Sequence, residues 1–159
     1  MSVDTHELIT PSPRKFDGLD HFAILSGDAF ALVGRILVGW IFIVFAYANL
    51  TNMAGLAAYL TALKVPAPML VAWIATIAQA LMGISLILGV ATRYGALIGL
   101  VFVAAATLLA HRYWEFPATQ QNIQFTHFMK NLSIFGGLLL LFVTGAGRFS
   151  IDGHLRRNE

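Results

Sequence analysis

Apolar residues run through this chain in four long stretches rather than alternating with polar ones. No Asp, Glu, Lys or Arg lies between Arg35 and Lys64, between Lys64 and Arg93, between Arg93 and Arg112, or between Lys130 and Arg148. A helix crossing about 30 Å of hydrocarbon needs roughly 17–25 mostly apolar residues. The pattern therefore predicts spans at about residues 30–50, 69–89, 94–111 and 130–147. The strict two-residue alternation of a membrane barrel is missing, so helices are the expected way to satisfy the backbone. The expected fold class is all-α, an integral membrane four-helix bundle with short interfacial helices. Residues 1–28 are expected to form a cytoplasmic tail, 29–153 the membrane domain and 154–159 a second cytoplasmic tail.

The connections differ in kind. Gly89, Val90, Ala91, Thr92, Arg93 and Tyr94 make a turn so short that spans two and three must be antiparallel neighbours. Between spans one and two, Met53, Leu56, Ala57, Leu60 and Leu63 form a helical apolar stripe that ends before Pro66 and Pro68. This predicts a short amphipathic helix on the outer interface, or a partial cover on the outer mouth of the bundle. Residues 112–129, with Tyr113, Trp114 and Phe116 and then a Gln/Asn/Thr-rich run, read as interfacial. The N-terminal tail up to Pro13 reads as disordered, with Phe16–Ser26 on the cytoplasmic surface.

Composition sharpens the picture. The 159 residues are 58% hydrophobic and only 11% charged, against about 25% charged in soluble domains, and mean hydropathy is +0.75. A soluble enzyme of this size would have too much surface to cover with so few charges. No run of Lys and Arg exists that could track a phosphate backbone, which argues against a nucleic-acid partner. There are no cysteines, so thiolate metal sites, iron–sulfur ligation and dithiol chemistry are excluded within this chain. Arg14, Lys15, Arg35, Arg93, Arg148, Arg156 and Arg157 fall on the side of the termini, and Lys64, Arg112 and Lys130 on the other. That asymmetry predicts both termini in the cytoplasm. Ala46-Tyr47-Ala48 resembles a signal-peptidase site, but Asp4, Glu7, Asp17, Asp20 and Asp28 precede it, and cleavage is not expected.

Few polar residues interrupt the apolar interior. Gln79 is the one strongly polar side chain near mid-membrane and should face the bundle. It would either bridge to Thr76, Ser85 or a neighbouring helix, which is the favoured reading, or hold a quinone carbonyl. Asn49 ends span one, His111 ends span three, and Lys130 and Asn131 begin span four, with Tyr47, Trp114 and His127 in nearby turns. All lie toward the outer face, at the depth where a mouth between helices can take a ligand. The bland alternative is a set of helix ends at a wet interface. His111 and His127 with Glu115 do not supply the three or four ligands of a metal site, so no metal is expected. Arg35, Arg93, Arg148 and Asp152 cluster near the cytoplasmic face and read as a structural ion-pair collar, with Arg35 paired to Asp152. Gly95 and Gly99 on span three read as packing positions within the bundle rather than as a dimer face.

Several of these residues stand in a familiar order. Arg35-x-x-x-Gly39, the short helix after span one, Gly83-x-x-x-x-x-Gly89 ahead of Thr92-Arg93, His111-x-x-Trp114, Phe128-x-Lys130-Asn131-Leu132 and Gly147-x-x-Ser150-x-Asp152 together resemble the DoxX family of small four-helix prokaryotic membrane proteins. The resemblance runs from about Gly34 to Gly153. It implies a place in the cytoplasmic (inner) membrane and, from named members, a link to sulfur oxidation, quinone reduction or oxidative-stress assemblies. Where the family often carries a Lys near the end of span one and a Glu in span two, this chain has Asn49 and Gln79. A charged pair would thereby be replaced by a neutral amide pair, leaving His111 as the titrating candidate and Lys130 as a charge partner.

The expected function is that of a membrane subunit supporting a quinone-linked oxidoreductase by binding quinone, rather than that of a stand-alone enzyme. The ligand candidates are Gln79, Asn49, His111, Trp114, Lys130 and Asn131. No catalytic residue is assigned, no intrinsic cofactor is expected beyond a bound quinone, and electrons would come from a partner. The partners expected are the bilayer and either another protein or further copies of the chain. The alternative is a non-catalytic assembly, anchoring or chaperone-like subunit. A transporter fits less well, since four spans without repeats or broken helices offer little for alternating access.

Overall fold

The computed structural model describes residues 17–158, and the tail expected to be disordered up to Pro13 lies outside that range. The elements are α1 (Asp17–Thr51), α2 (Met53–Ala62), α3 (Pro68–Leu88), α4 (Thr92–Ala110), a 3-10 turn (Tyr113–Glu115), α5 (Ala118–Thr144) and a short α6 (Ile151–Leu155), with no strand among the described residues. The helices α1, α3, α4 and α5 are long and apolar enough to cross a membrane. Their outward faces carry Leu37, Leu81, Val101 and Leu140, each more than three-fifths exposed. A stripe of that kind on every helix suits lipid and not water.

Two helices are longer than the apolar stretches alone suggest. α1 starts at Asp17, so residues 17–28, expected in the tail, are helical. Its 35 residues extend roughly 50 Å at 1.5 Å per residue, well beyond the hydrocarbon thickness. α5 starts at Ala118, behind Pro117, so most of the polar run before Lys130 is helix rather than interfacial loop. Its polar turns are exposed at Gln120, Gln121 and Asn122. It ends at Thr144, earlier than the expected residue 147, where Gly145 takes a positive φ of 76°.

Phe42 of α1, Met82 and Leu86 of α3, Ala96, Leu100 and Val103 of α4, and Leu138 and Leu141 of α5 form the shared core. The tightest seam joins α1 to α3. A Cβ on Gly39 would lie 3.0 Å from the Gly83 carbonyl oxygen, and one on Gly83 would lie 3.0 Å from the Gly39 carbonyl oxygen. Lipid tails give no hydrophobic drive between helices, so this backbone approach is the source of cohesion. Gly95 faces Ser85 of α3 and Gly99 faces Leu138 of α5, which puts both glycines to use inside the bundle.

At the end that holds the termini, the expected ion-pair collar takes a different form. Arg35, 1% exposed, does not pair with Asp152. Its Nη1 donates to the Ala146 carbonyl and its Nη2 to the Phe149 carbonyl at 2.8 Å. Asp152 instead accepts from the backbone N–H groups of Ala91 at 2.8 Å and Thr92 at 2.9 Å, the exposed donors that open α4. Arg93 donates to the Val143 carbonyl at 3.2 Å. Of the four, only Arg148 makes an ion pair among the described residues, with Asp28 at 3.7 Å. The physical reason is the break after α5: the segment between α5 and α6 has carbonyls outside any helix, and the Arg35 fork supplies donors for two of them, while Arg93 serves a carbonyl of the last turn of α5. The α3–α4 turn closes beneath this network. Gly89 has φ +68°, and a Cβ there would lie 2.5 Å from Ser150 Cβ.

Two expectations follow. Arg35→Ala leaves buried carbonyls without donors and should lower stability by about 3 kcal/mol. Arg35→Lys should recover only part, since one ammonium does not reproduce the planar fork. Thermal unfolding in detergent reads both, and an unchanged midpoint for Arg35→Ala would rule the clasp out as a stabilising element. For Asp152, burial pushes the carboxyl pKa up, but the Thr92 and Ala91 N–H groups outweigh it and the net shift is downward. Its contribution is therefore complete above the ordinary carboxylate pKa of about 4 and is lost as pH falls through the lowered folded value. Asp152→Asn should cost about 1 kcal/mol at neutral pH and flatten this acid limb of the stability curve.

Candidate functional site

The opposite end of the bundle is open. A cavity of about 460 Å³ lies between α1, α3, α4 and α5 and is walled by α2. The amphipathic stripe of α2 explains the arrangement, because Leu56, Leu60 and Leu63 line the cavity, while Ala57 is buried. The helix thus covers the mouth. Asn52 caps it by accepting from the Gly55 N–H at 3.1 Å, and Pro68 at the first turn of α3 sets the chain back into the bundle. Tyr59 ties α2 to α4, its hydroxyl donating to the Ala110 carbonyl at 3.3 Å. Burial raises the Tyr59 pKa, so this hydroxyl stays a neutral donor.

Five of the six expected ligand residues line this cavity: Asn49, Gln79, His111, Lys130 and Asn131. The sixth, Trp114, does not. The chain turns away after His111 into the 3-10 turn, where Trp114 is 53% exposed and stacks edge-on against Tyr113 and Phe128, with centroids 5.1 and 6.0 Å apart. Tyr47 is also exposed, on the outward side of α1.

Each polar residue has a defined setting. Asn49 Nδ2 donates to Gln79 Oε1 at 2.7 Å, linking α1 to α3. Gln79 therefore bridges to the neighbouring helix, while Thr76 and Ser85 bond backbone carbonyls. Asn131 Nδ2 donates to Thr107 Oγ1 at 2.9 Å, and Thr107 passes its own proton to the Val103 carbonyl at 2.6 Å. His111 Nδ1 lies 2.8 Å from Gln124 Oε1, and its ring stacks on His127 at 5.1 Å. The Lys130 ammonium sits 4.8 Å from the centroid of the Phe45 ring. The walls are otherwise apolar, with Phe42, Phe45 and Phe102 prominent.

Tyr59, Phe45 and Gln124 complete the site without having been expected. Only Tyr59 had a usable signal: it adjoins Leu60 on the α2 stripe. No His/Asp/Glu group able to hold a metal ion occurs among the described residues.

Comparison with known proteins settles the family. The DoxX family model matches residues 30–112. The chain belongs to the DoxX family. Among DoxX relatives, the Inner membrane protein YphA of Escherichia coli (strain K12) is 34% identical over 76% of this chain and 86% of its own length. The Inner membrane protein YqjF of the same strain is 34% identical over 82% of this chain and 95% of its own. A more distant likeness, 25% identity over 75% of the chain, is to the ER-derived vesicles protein ERV29 of Saccharomyces cerevisiae, of which it covers 31%. No solved structure matches significantly. The chain is thus a DoxX-family membrane protein with four helices able to span the bilayer.

The Asn49–Gln79 bond is testable apart from any ligand. Asn49→Leu or Gln79→Leu alone strands the other amide and should each cost about 1–2 kcal/mol. The double variant should cost less than the sum, with a coupling of about 0.5–1.5 kcal/mol. Thermal unfolding of the four proteins in detergent measures the cycle, and additive losses would show that the amides do not depend on each other.

Proposed function

We propose that this DoxX protein holds a quinone in the cavity beneath α2 and serves as a membrane subunit of a quinone-linked oxidoreductase. One observation carries the reading: five polar side chains meet at the mouth of a cavity of about 460 Å³ whose remaining walls are apolar and aromatic. That size and mixture suit a small amphipathic molecule. The donor set fits a quinone headgroup. The Gln79 amide N–H groups and the Lys130 ammonium are donors for ring carbonyls, and Phe42, Phe45 and Phe102 offer faces for the ring. A quinone, when bound, would supply two-electron acceptor chemistry.

The chain's own residues bind, orient and seal. Asn49 fixes the Gln79 amide, Gln124 fixes the His111 ring, and α2 with its Tyr59 tether limits water access. The sequence has no cysteine and no Gly-rich nucleotide loop, so in this reading the electrons come from a partner protein. The distribution of Lys and Arg supports a cavity facing away from the cytoplasm, with both termini inside, in an inner membrane like that of the relatives.

Solvent extraction and chromatography of detergent-purified protein should find close to one quinone per chain. Gln79→Leu, His111→Ala and Lys130→Ala should each reduce it several-fold while the protein stays folded. A content equal to that of an unrelated membrane protein, unchanged in the variants, would overturn the reading and favour a non-catalytic assembly subunit.

A further inference from the structure

A quinone and its two-electron-reduced form differ in one property that this cavity can read: the quinone only accepts hydrogen bonds, while the hydroquinone also donates two. The inventory of free groups at the mouth bears on that difference. The Asn49–Gln79 bond uses one amide N–H and one amide carbonyl. Whichever amide donates, one carbonyl and one amide nitrogen remain without a protein partner among the described residues, so the pair offers the cavity an acceptor as well as a donor. This conclusion survives exchange of the amide O and N positions in both residues.

Two further acceptors stand nearby. Asn131 spends one amide N–H on Thr107, which leaves its carbonyl oxygen and its second N–H free. His111, donating from Nδ1 to Gln124 Oε1, keeps Nε2 as a lone-pair acceptor while neutral. Thr107 adds no donor to the cavity, because its proton goes to the Val103 carbonyl. Tyr59, the hydroxyl on the covering helix, is committed to the Ala110 carbonyl. The lining thus offers three acceptors beside donors from Asn49, Gln79, Asn131 and Lys130, a mixed set in which only a ligand that both donates and accepts satisfies every group. A dicarbonyl ring satisfies only the donors and desolvates the acceptors without replacing their bonds to water.

We infer that the cavity prefers the hydroquinone to the quinone, with the free carbonyl of the Asn49–Gln79 pair and the carbonyl of Asn131 accepting from its phenolic hydroxyls. The inference rests on the proposed quinone reading and adds the redox form of the ligand. Sites that hydrogen-bond a hydroxyl discriminate strongly against analogues that lack it, and the lining here is half-buried. The preference should therefore be about tenfold in Kd.

The test is anaerobic equilibrium dialysis of the full-length, delipidated protein against decylbenzoquinone and, separately, its hydroquinone. The expected result is tighter binding of the hydroquinone by about tenfold. Asn131→Leu, which removes an acceptor while Thr107 keeps its bond to Val103, should bring the two Kd values several-fold closer. Equal binding of both forms, or tighter binding of the quinone, would overturn the inference and leave the quinone reading standing. Binding of neither form would overturn both. The comparison in the unmodified protein needs no variant to fold.

Discussion

Arg35 is the cation at the edge of the apolar part of α1, and almost none of it reaches the surface. Such a group is held only where partners offset its desolvation, and here both Nη groups are bonded while the buried Nε has no partner among the described residues. The Nη partners are backbone carbonyls just past the end of α5, outside any helix. One side chain thereby ties α1 to the segment that turns back between α5 and α6. From there the order passes on. Once α6 is placed, Asp152 reaches the two N–H groups that open α4, and the Asp152 N–H donates to the Gly89 carbonyl in the turn between α3 and α4 at 2.9 Å. The four spans are tied at this end by hydrogen bonds, each made to a backbone group that would otherwise go without.

Closure at one end and openness at the other follow from the same helices. α1 and α3 are drawn together at Gly39 and Gly83, where the missing side chains make room for Ile87 and Leu86 against Gly39 and for Ile43 against Gly83. Toward the far end, Phe42, Phe45 and Asn49 on α1 and Ala75, Ala78 and Gln79 on α3 line a space instead of closing it. α2 lies across that space. A cavity bounded by the tight seam on one side and by a separate short helix on the other has a rigid floor and a cover joined to α4 by one side-chain bond, Tyr59 to Ala110. That is a suitable frame for a ligand that must enter and leave.

Much of this is written in the sequence because membrane spans obey a coarse rule. The absence of charge marked four helices, and the stripe of Leu56, Leu60 and Leu63 marked α2 as a short interfacial helix or a partial cover. The helix ends were harder to read. Residues 17–28 and 118–129 carry Asp, Gln and Asn, which a hydropathy argument assigns to water, but helix geometry does not stop where the hydrocarbon does. The far-end site was legible as a depth: Asn49, His111, Lys130 and Asn131 had to lie at one level. Which way each chain segment turned was not, and Trp114, three residues after His111, ends up outside. At the near end, charge signs alone suggested Arg35 with Asp152. Both side chains found backbone partners instead, because unpaired helix termini compete for charged groups and leave no mark in residue identity.

The amide pair separates this chain from the charged pattern that the family resemblance suggested at positions 49 and 79. A Lys–Glu pair at that depth would hold its geometry only while both groups stayed ionised, and any change in protonation would leave a buried charge without its partner. Two amides have no such dependence. They keep one hydrogen bond between α1 and α3 across the whole pH range and still present a donor and an acceptor to the cavity. In the proposed reading, recognition through Asn49 and Gln79 therefore holds across the pH range, while the stacked imidazoles of His111 and His127 and the Lys130 ammonium are the groups at this end of the bundle that can exchange a proton. His111 and Lys130 line the same cavity as the amides, so in that reading side chains able to carry a proton also touch the ligand.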